Sequence, residues 1–137
     1  MVRKKYIPER GDVVWIDFSP TKGHEQNGRR PSLVISPHAY NKLIGLAIVC
    51  PITQKIKGYS FEVHISTNKV KGVILSDHVK SVAYDKRKIK YIDRVSEMTI
   101  QEVTQKIKAI IYPHNNLNYL DTKLIFPDDS PRGQEVR

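Results

Sequence analysis

Apolar residues recur at two spacings along this chain, and the change from one to the other divides it. In Gly11 to Phe18, GDVVWIDF, an extended backbone puts Val13, Trp15 and Asp17 on one side and Val14, Ile16 and Phe18 on the other. Both sides are mostly apolar, which predicts a strand buried on two faces. Ser32–Pro37 and Leu46–Pro51 predict two more short strands, separated by HAYNKLIG, a single helical turn closed by Gly45. Phe61–Ile65 alternates, with Phe61, Val63 and Ile65 inward and Glu62 and His64 outward. Gly72–Val82 and Ile89–Val95 predict one strand each, joined by the basic turn Asp85–Lys88. Beyond them Ile100, Val103, Ile107, Ile110 and Ile111 fall at helical spacing, with Gln101, Lys106 and Lys108 facing away. Thr99 with Glu102 reads as a capping box and Pro113 as a stop, so the helix is expected over Thr99–Tyr112.

Five to seven short strands and one late helix predict a mainly β fold, a small curled barrel with a helix plugging one side. The helix is structural in this reading: its apolar stripe needs a core, and no second helix precedes it as a DNA-reading helix-turn-helix requires. Residues 1–112 form the expected domain. Residues 113–137 are rich in Asn, Asp and Pro, with Leu124–Phe126 their one apolar cluster, and are expected to be a tail or loosely docked segment.

Charge narrows the partners. Lys and Arg outnumber Asp and Glu by 23 to 14, a net +9. Residues 113–137 carry three basic and four acidic residues, leaving 20 against 10, a net +10, in residues 1–112. A field of that sign favours a polyanion, and nucleic acid is expected ahead of anionic membrane because no basic amphipathic helix is present. An acidic protein partner would be drawn to the same surface. The single Cys50 excludes an intrachain disulfide and a Cys-rich zinc site, which suits a reducing cytoplasm. No apolar run approaches membrane-spanning length, and MVRKKYIPER lacks the apolar stretch of a signal peptide. Neither a Gly-rich phosphate loop nor H-E-x-x-H occurs, and the five histidines lack ligand spacing, so neither a metal nor another cofactor is expected.

The densest hydrogen-bonding equipment lies in KGHEQNGRRPSLVISP, residues 22–37, at the mouth of a predicted strand. Taken alone it reads as a solvated hairpin loop. Around it stand Arg29-Arg30-Pro31, Thr53, His24, Glu25, Asp77 and His78, each at or beside a predicted strand end. Lys86-Arg87-Lys88 reads as a solvated turn rather than a phosphate clamp, and Trp15 and Phe61 as core or subunit contacts rather than stacking platforms.

The run GDVVWIDFSPTKGHEQNGRRPSLVISP, then Val49-Cys50-Pro51-Ile52-Thr53, Lys57–Val63 and Gly72–Ser81, resembles the MazF/PemK family of bacterial toxin endoribonucleases from about Tyr6 to Tyr112. The resemblance implies an SH3-like barrel with a C-terminal helix and a homodimer binding RNA along its seam. It also implies sequence-specific, metal-independent cleavage of single-stranded RNA, restrained by a cognate antitoxin in the cytoplasm. Arg30 and Thr53 match the family's phosphate-stabilising pair, and Glu25 and Asp77 match carboxylates used for activity or RNA contact. Asp17, His24, Arg29, Lys57, His78 and Lys80 are the expected RNA-binding residues. Two departures stand out: Leu75 occupies the place of an arginine in the PemK-like branch, and His78 that of a common glutamine. Two alternatives remain on the same fold, a non-catalytic RNA-binding module and a gyrase-directed toxin.

Overall fold

The computed structural model describes residues 5–18 and 28–112. In chain order these form β1 (Asp12–Asp17), β2 (Arg29–Val34), α1 (His38–Ile44), β3 (Ala47–Thr53), β4 (Glu62–Ser66), β5 (Lys71–Leu75), β6 (Lys80–Val82), β7 (Lys90–Arg94) and α2 (Glu97–Ile111). The strands make one antiparallel sheet in the order β4-β5-β3-β2-β1-β7, with β6 paired to β3 beside that path. The sheet curls: Asp93 on β7 accepts a hydrogen bond from Thr67, just past β4. The fold is therefore the expected one, a mainly β half-barrel with a C-terminal helix. The expected tail, residues 113–137, lies outside the described residues.

β3 is the hinge of this curl. Its first half pairs with β6 (Ala47↔Val82, Val49↔Lys80) and its last two residues pair with β5 (Ile52↔Ile74, Thr53↔Val73). Pro51 sits at the handover, where β3 needs no amide hydrogen for either partner. Pro31 is tolerated in β2 for a related reason. The Phe18 amide donates to the Gly28 carbonyl, which makes Ile16↔Arg30 and Val14↔Ser32 the hydrogen-bonded pairs and Trp15↔Pro31 a non-bonded one.

Both faces of β1, β2 and β3 are covered, as the sequence of β1 predicts. One face holds Val13, Leu33, Cys50, Ile52, Val63, Ile74 and the helix residues Ile100 and Val103. The other holds Val14, Ile16, Phe18, Val34, Val49, Val82 and Tyr84, with Tyr6 and Ile7 packed on them.

Four local expectations change. The single strand expected over Gly72–Val82 is two, β5 and β6, because the chain turns at Ser76–His78 and the His78 amide donates to the Leu75 carbonyl. Helix α2 starts at Glu97, and its cap is Ser96, whose hydroxyl accepts from the Thr99 amide at 3.3 Å; Thr99 lies inside the first turn. Only the first half of its apolar stripe is covered: Ile100 and Val103 are buried, whereas Ile110 and Ile111 are exposed. Glu62, expected outside, is buried, because its carboxylate accepts the Lys57 and Gly58 amides at 3.2 and 3.0 Å. Alternation is overridden there by a loop that supplies donors.

Candidate active site

Strands β2 and β3 are laddered at Val34↔Val49, Leu33↔Cys50 and Ser32↔Pro51. The same register run on by two residues sets Arg30 opposite Thr53, on one face of the sheet. The ladder has ended before that point. β2 stays with β1 through Ile16↔Arg30, while β3 bends toward β5 through Thr53↔Val73. The two strand ends part, and a cavity of about 570 Å³ opens between them.

Trp15, Pro31, Ile52 and Val70 give this cavity an apolar floor, and Arg29, Arg30, Lys55, Lys69 and Lys71 line it with charge. No carboxylate lines it among the described residues. The Arg29 guanidinium lies 5.2 Å from the Trp15 ring centroid, a cation–π contact that holds it at the rim. The Nε of Arg30 is buried with no hydrogen-bond partner among the described residues. A buried unsatisfied guanidinium nitrogen is costly, and a charge-assisted hydrogen bond to an anion's oxygen is the kind of partner that satisfies such a group.

Thr53 is held from two sides. Its hydroxyl accepts the Lys55 amide at 3.1 Å, which leaves its own proton to donate. Gly72 on β5, at φ 148, lies against its backbone so closely that a methyl group would sit 2.9 Å from the Thr53 carbonyl carbon. Only glycine lets β5 approach and fix the threonine.

A second cavity, about 200 Å³, adjoins the first at Thr53 and Lys55 and is walled by Lys57, Tyr59, Phe61, Glu62, Leu75 and His78. Tyr59 stacks on Phe61 with centroids 4.9 Å apart and planes at 19°. Asp77 lies beside it, its carboxylate 3.7 Å from Nε2 of His78. Partial burial pushes the Asp77 carboxyl up; the His78 imidazole opposes the rise and the Glu62 carboxylate adds to it. A carboxyl moved toward neutrality is a better proton carrier than an ordinary surface aspartate.

The structure thus gathers Arg29, Arg30 and Thr53 at one cavity and Thr53, Lys57 and His78 at the next, with Asp77 alongside. Asp17 faces Arg29 in the β1–β2 register, at the end of the strand. Lys80 lines neither cavity; its ammonium sits 4.9 Å over the Phe18 ring. Glu25 and His24 lie outside the described residues. Sequence reasoning missed Lys55, Lys69 and Lys71, which only the curl brings to the mouth, and Glu62, whose preceding Lys57-Gly58 turn was the available signal. Among the described residues no three His, Cys, Asp or Glu side chains meet in a set that could hold a metal ion. Cys50 is buried, and burial with a smaller push from Asp77 raises its thiol to about 12, so it stays protonated and inert.

Comparison with known proteins gives one consistent answer. The family described as the PemK-like, MazF-like toxin of type II toxin–antitoxin systems matches residues 9–111. The endoribonuclease toxin MazF of Escherichia coli K12 is 42% identical over 107 residues, covering 78% of this chain and 96% of that protein. Endoribonuclease PemK of Escherichia coli is 30% identical over 116 residues, 81% of this chain and 87% of that one. Among solved structures, MazE–MazF (form II) from Deinococcus radiodurans superposes with a TM-score of 0.73 at 40% identity, over 80% of this chain and 100% of the other.

Proposed function

This chain belongs to the PemK-like, MazF-like toxin family and is an endoribonuclease, and we propose that it cuts single-stranded RNA at preferred sequences without a metal ion, through Arg30 and Thr53. The observation that carries this reading is that Arg30 and Thr53 line one cavity at the parted strand ends, whose charged lining among the described residues is all cationic, with the Arg30 Nε buried and without a hydrogen-bond partner among those residues. The ribose 2′-oxygen attacks the adjacent phosphorus and forms the 2′-O–P bond. The P–O5′ bond breaks, leaving a 2′,3′-cyclic phosphate and a 5′-OH that takes up a proton. What the protein must supply is stabilisation of the extra negative charge on five-coordinate phosphorus, plus proton transfer. Arg30 bridges two phosphate oxygens in the fork geometry that a lysine lacks. The Thr53 hydroxyl donates to the same phosphate, a contact worth about 2.7–4 kcal/mol in the transition state.

Asp77, with its raised carboxyl, and Glu25 are the proton carriers in this proposal. Lys57, His78, Asp17, Arg29, His24 and Lys80 contact the RNA beyond the scissile group. As a toxin of a type II system the protein has an antitoxin as its partner. We place that antitoxin across the cationic mouth, where it excludes RNA, and the protein as a homodimer in the cytoplasm. The exposed Leu43, Ile44, Ile110 and Ile111 support a subunit contact. No described helix is long and apolar enough to cross a membrane. Neither a non-catalytic RNA-binding module nor a gyrase-directed toxin uses the Arg30–Thr53 opposition, and the relatives carry the name endoribonuclease.

The test is digestion of one long RNA by purified protein in excess EDTA, with mapping of the new ends. Discrete bands carrying cyclic phosphate and 5′-OH are expected. Full-length RNA, or cleavage restored only by added Mg²⁺, would refute the metal-free reading.

A further inference from the structure

Lys86, Arg87 and Lys88, which the sequence alone reads as a solvated turn, form a basic ledge with Lys90 at the start of β7, and the fold changes that reading. The ledge is bolted to the strand that carries the cavity rim. The Asp17 amide at the end of β1 donates to the Arg87 carbonyl at 2.8 Å, and Lys90 on β7 is the register partner of Trp15. Trp15 in turn lines the 570 Å³ cavity under Arg29. Cations therefore continue in strand order from Lys55 on the β3 side, through Arg29 on β2, across Trp15 on β1, to Lys90 on β7. At about 4.8 Å per strand this spans roughly 14 Å of sheet. The turn's own acid, Asp85, is paired with Lys5 at 3.7 Å. Asp17 is the carboxylate between ledge and rim, and its register partner is Arg29.

A second observation points the same way. Lys88 holds φ 51, the one non-glycine residue with positive φ among the described residues. Glycine or asparagine would take that conformation at lower cost. Backbone conformation alone therefore does not favour a lysine at this position.

We propose that Lys86–Lys90 is a distal track for the RNA backbone, gripping phosphates several nucleotides from the scissile one and feeding the strand across Trp15 into the cavity. The track rests on the RNA-cleaving reading above and adds to it a dependence on substrate length. Its lysines act on binding, through charge neutralisation and counterion release, and take no part in bond breaking.

The experiment compares a short oligonucleotide spanning only one cut site with a long RNA containing that site, for wild type, Lys88→Gln/Lys90→Gln, and a charge-matched control, Lys42→Gln/Lys108→Gln, on the two helices. On long RNA the ledge variant should lose about tenfold in kcat/KM through KM, and its log–log salt slope should flatten by roughly 1.4, at about 0.7 per phosphate contact on single strands. On the short oligonucleotide it should match wild type, and the helix variant should match wild type on both. Equal loss in the helix variant would reduce the ledge to part of a general field, and equal loss on the short substrate would place it in the catalytic site; either result overturns the track, as does no loss at all. Lys88→Gly adds a readout that a structural role cannot mimic. It should hold or raise Tm while weakening long-RNA binding, and a fall in both would count against the proposal. Filter retention of uncut RNA needs no turnover. The track can therefore fail while cleavage stands, and cleavage can fail while the binding comparison still decides the track.

Discussion

The two ends of the β2–β3 pair are built from the same strands and do opposite things. At one end Ser32, Leu33 and Val34 meet Pro51, Cys50 and Val49 in an unbroken ladder, and all six residues are buried. Two residues further on, where the ladder has ended, Arg30 and Thr53 are partly exposed and line one cavity ringed by cations. The laddered end spends its surface on burial and satisfied backbone hydrogen bonds, which is where folding free energy comes from. The parted end gives up backbone pairing and leaves the Arg30 Nε without a partner among the described residues, a local loss that the ladder beside it carries. Stability and chemistry are separated by two residues along the same strands, so substitutions at the two ends should separate as well.

The largest effect is expected at the closed end. Leu33 is fully buried, and Leu33→Ala should cost about 2–5 kcal/mol of stability through lost burial and a cavity. Corrected for the folded fraction, its single-turnover rate should stay within about threefold of wild type. Chemical denaturation alongside single-turnover cleavage checks both halves. If the folded fraction itself is slowed a hundredfold, the two ends are not separable.

At the open end the reverse holds. Thr53→Val keeps the shape of a half-buried strand residue and removes one donor, so the denaturation midpoint should barely move while single-turnover cleavage falls by about a hundredfold, some 2.7 kcal/mol. An active valine variant would remove the hydroxyl from the mechanism.

The smallest effect, and a sharper one, concerns Asp77. Its carboxyl is raised in the fold, chiefly by burial. For a raised carboxyl, the favourable contribution is present below the unfolded value, near 3.9, and is lost as pH rises through the folded value. Ionised Asp77 therefore costs stability at neutral pH. Asp77→Asn should raise Tm modestly at pH 7, converge with wild type in acid, and lower activity throughout. A variant less stable at pH 7 than wild type would mean that the ionised carboxylate is held favourably and that the sign is wrong.

Much of this division is legible in the sequence. The two-faced apolar run of β1 gives a strand buried on both sides, Gly45 closes α1, and the switch to helical spacing places α2, because each depends on local periodicity alone. The resemblance draws Arg30 and Thr53 together, and the structure places both on the lining of one cavity. What the sequence does not show depends on contacts between distant segments. The ring of Lys55, Lys69 and Lys71 forms only when the sheet curls, and burial of Glu62 needs the Lys57-Gly58 amides to turn toward it. The break between β5 and β6 comes from the turn at Ser76–His78, which lets the two strands pair with different halves of β3. The ledge at Lys86–Lys90 has the composition of an ordinary solvent turn, and only its attachment to Asp17 and Trp15 distinguishes it.

The central claim is that Arg30 and Thr53 act on one phosphate across the parted strands, and a double-mutant cycle tests it most directly. Single-turnover cleavage of a saturating short RNA is measured for wild type, Arg30→Lys, Thr53→Val and the double variant, with RNA affinity measured on each. Arg30→Lys keeps the charge and should retain most of the affinity while losing about a hundredfold or more in rate. Because both groups serve the same transition-state charge, the double variant should be little slower than the slower single variant, a coupling of about 1–3 kcal/mol. Losses that simply multiply would show two groups acting independently, and a lysine variant cutting within about threefold of wild type, a difference near 0.7 kcal/mol, would contradict the account outright.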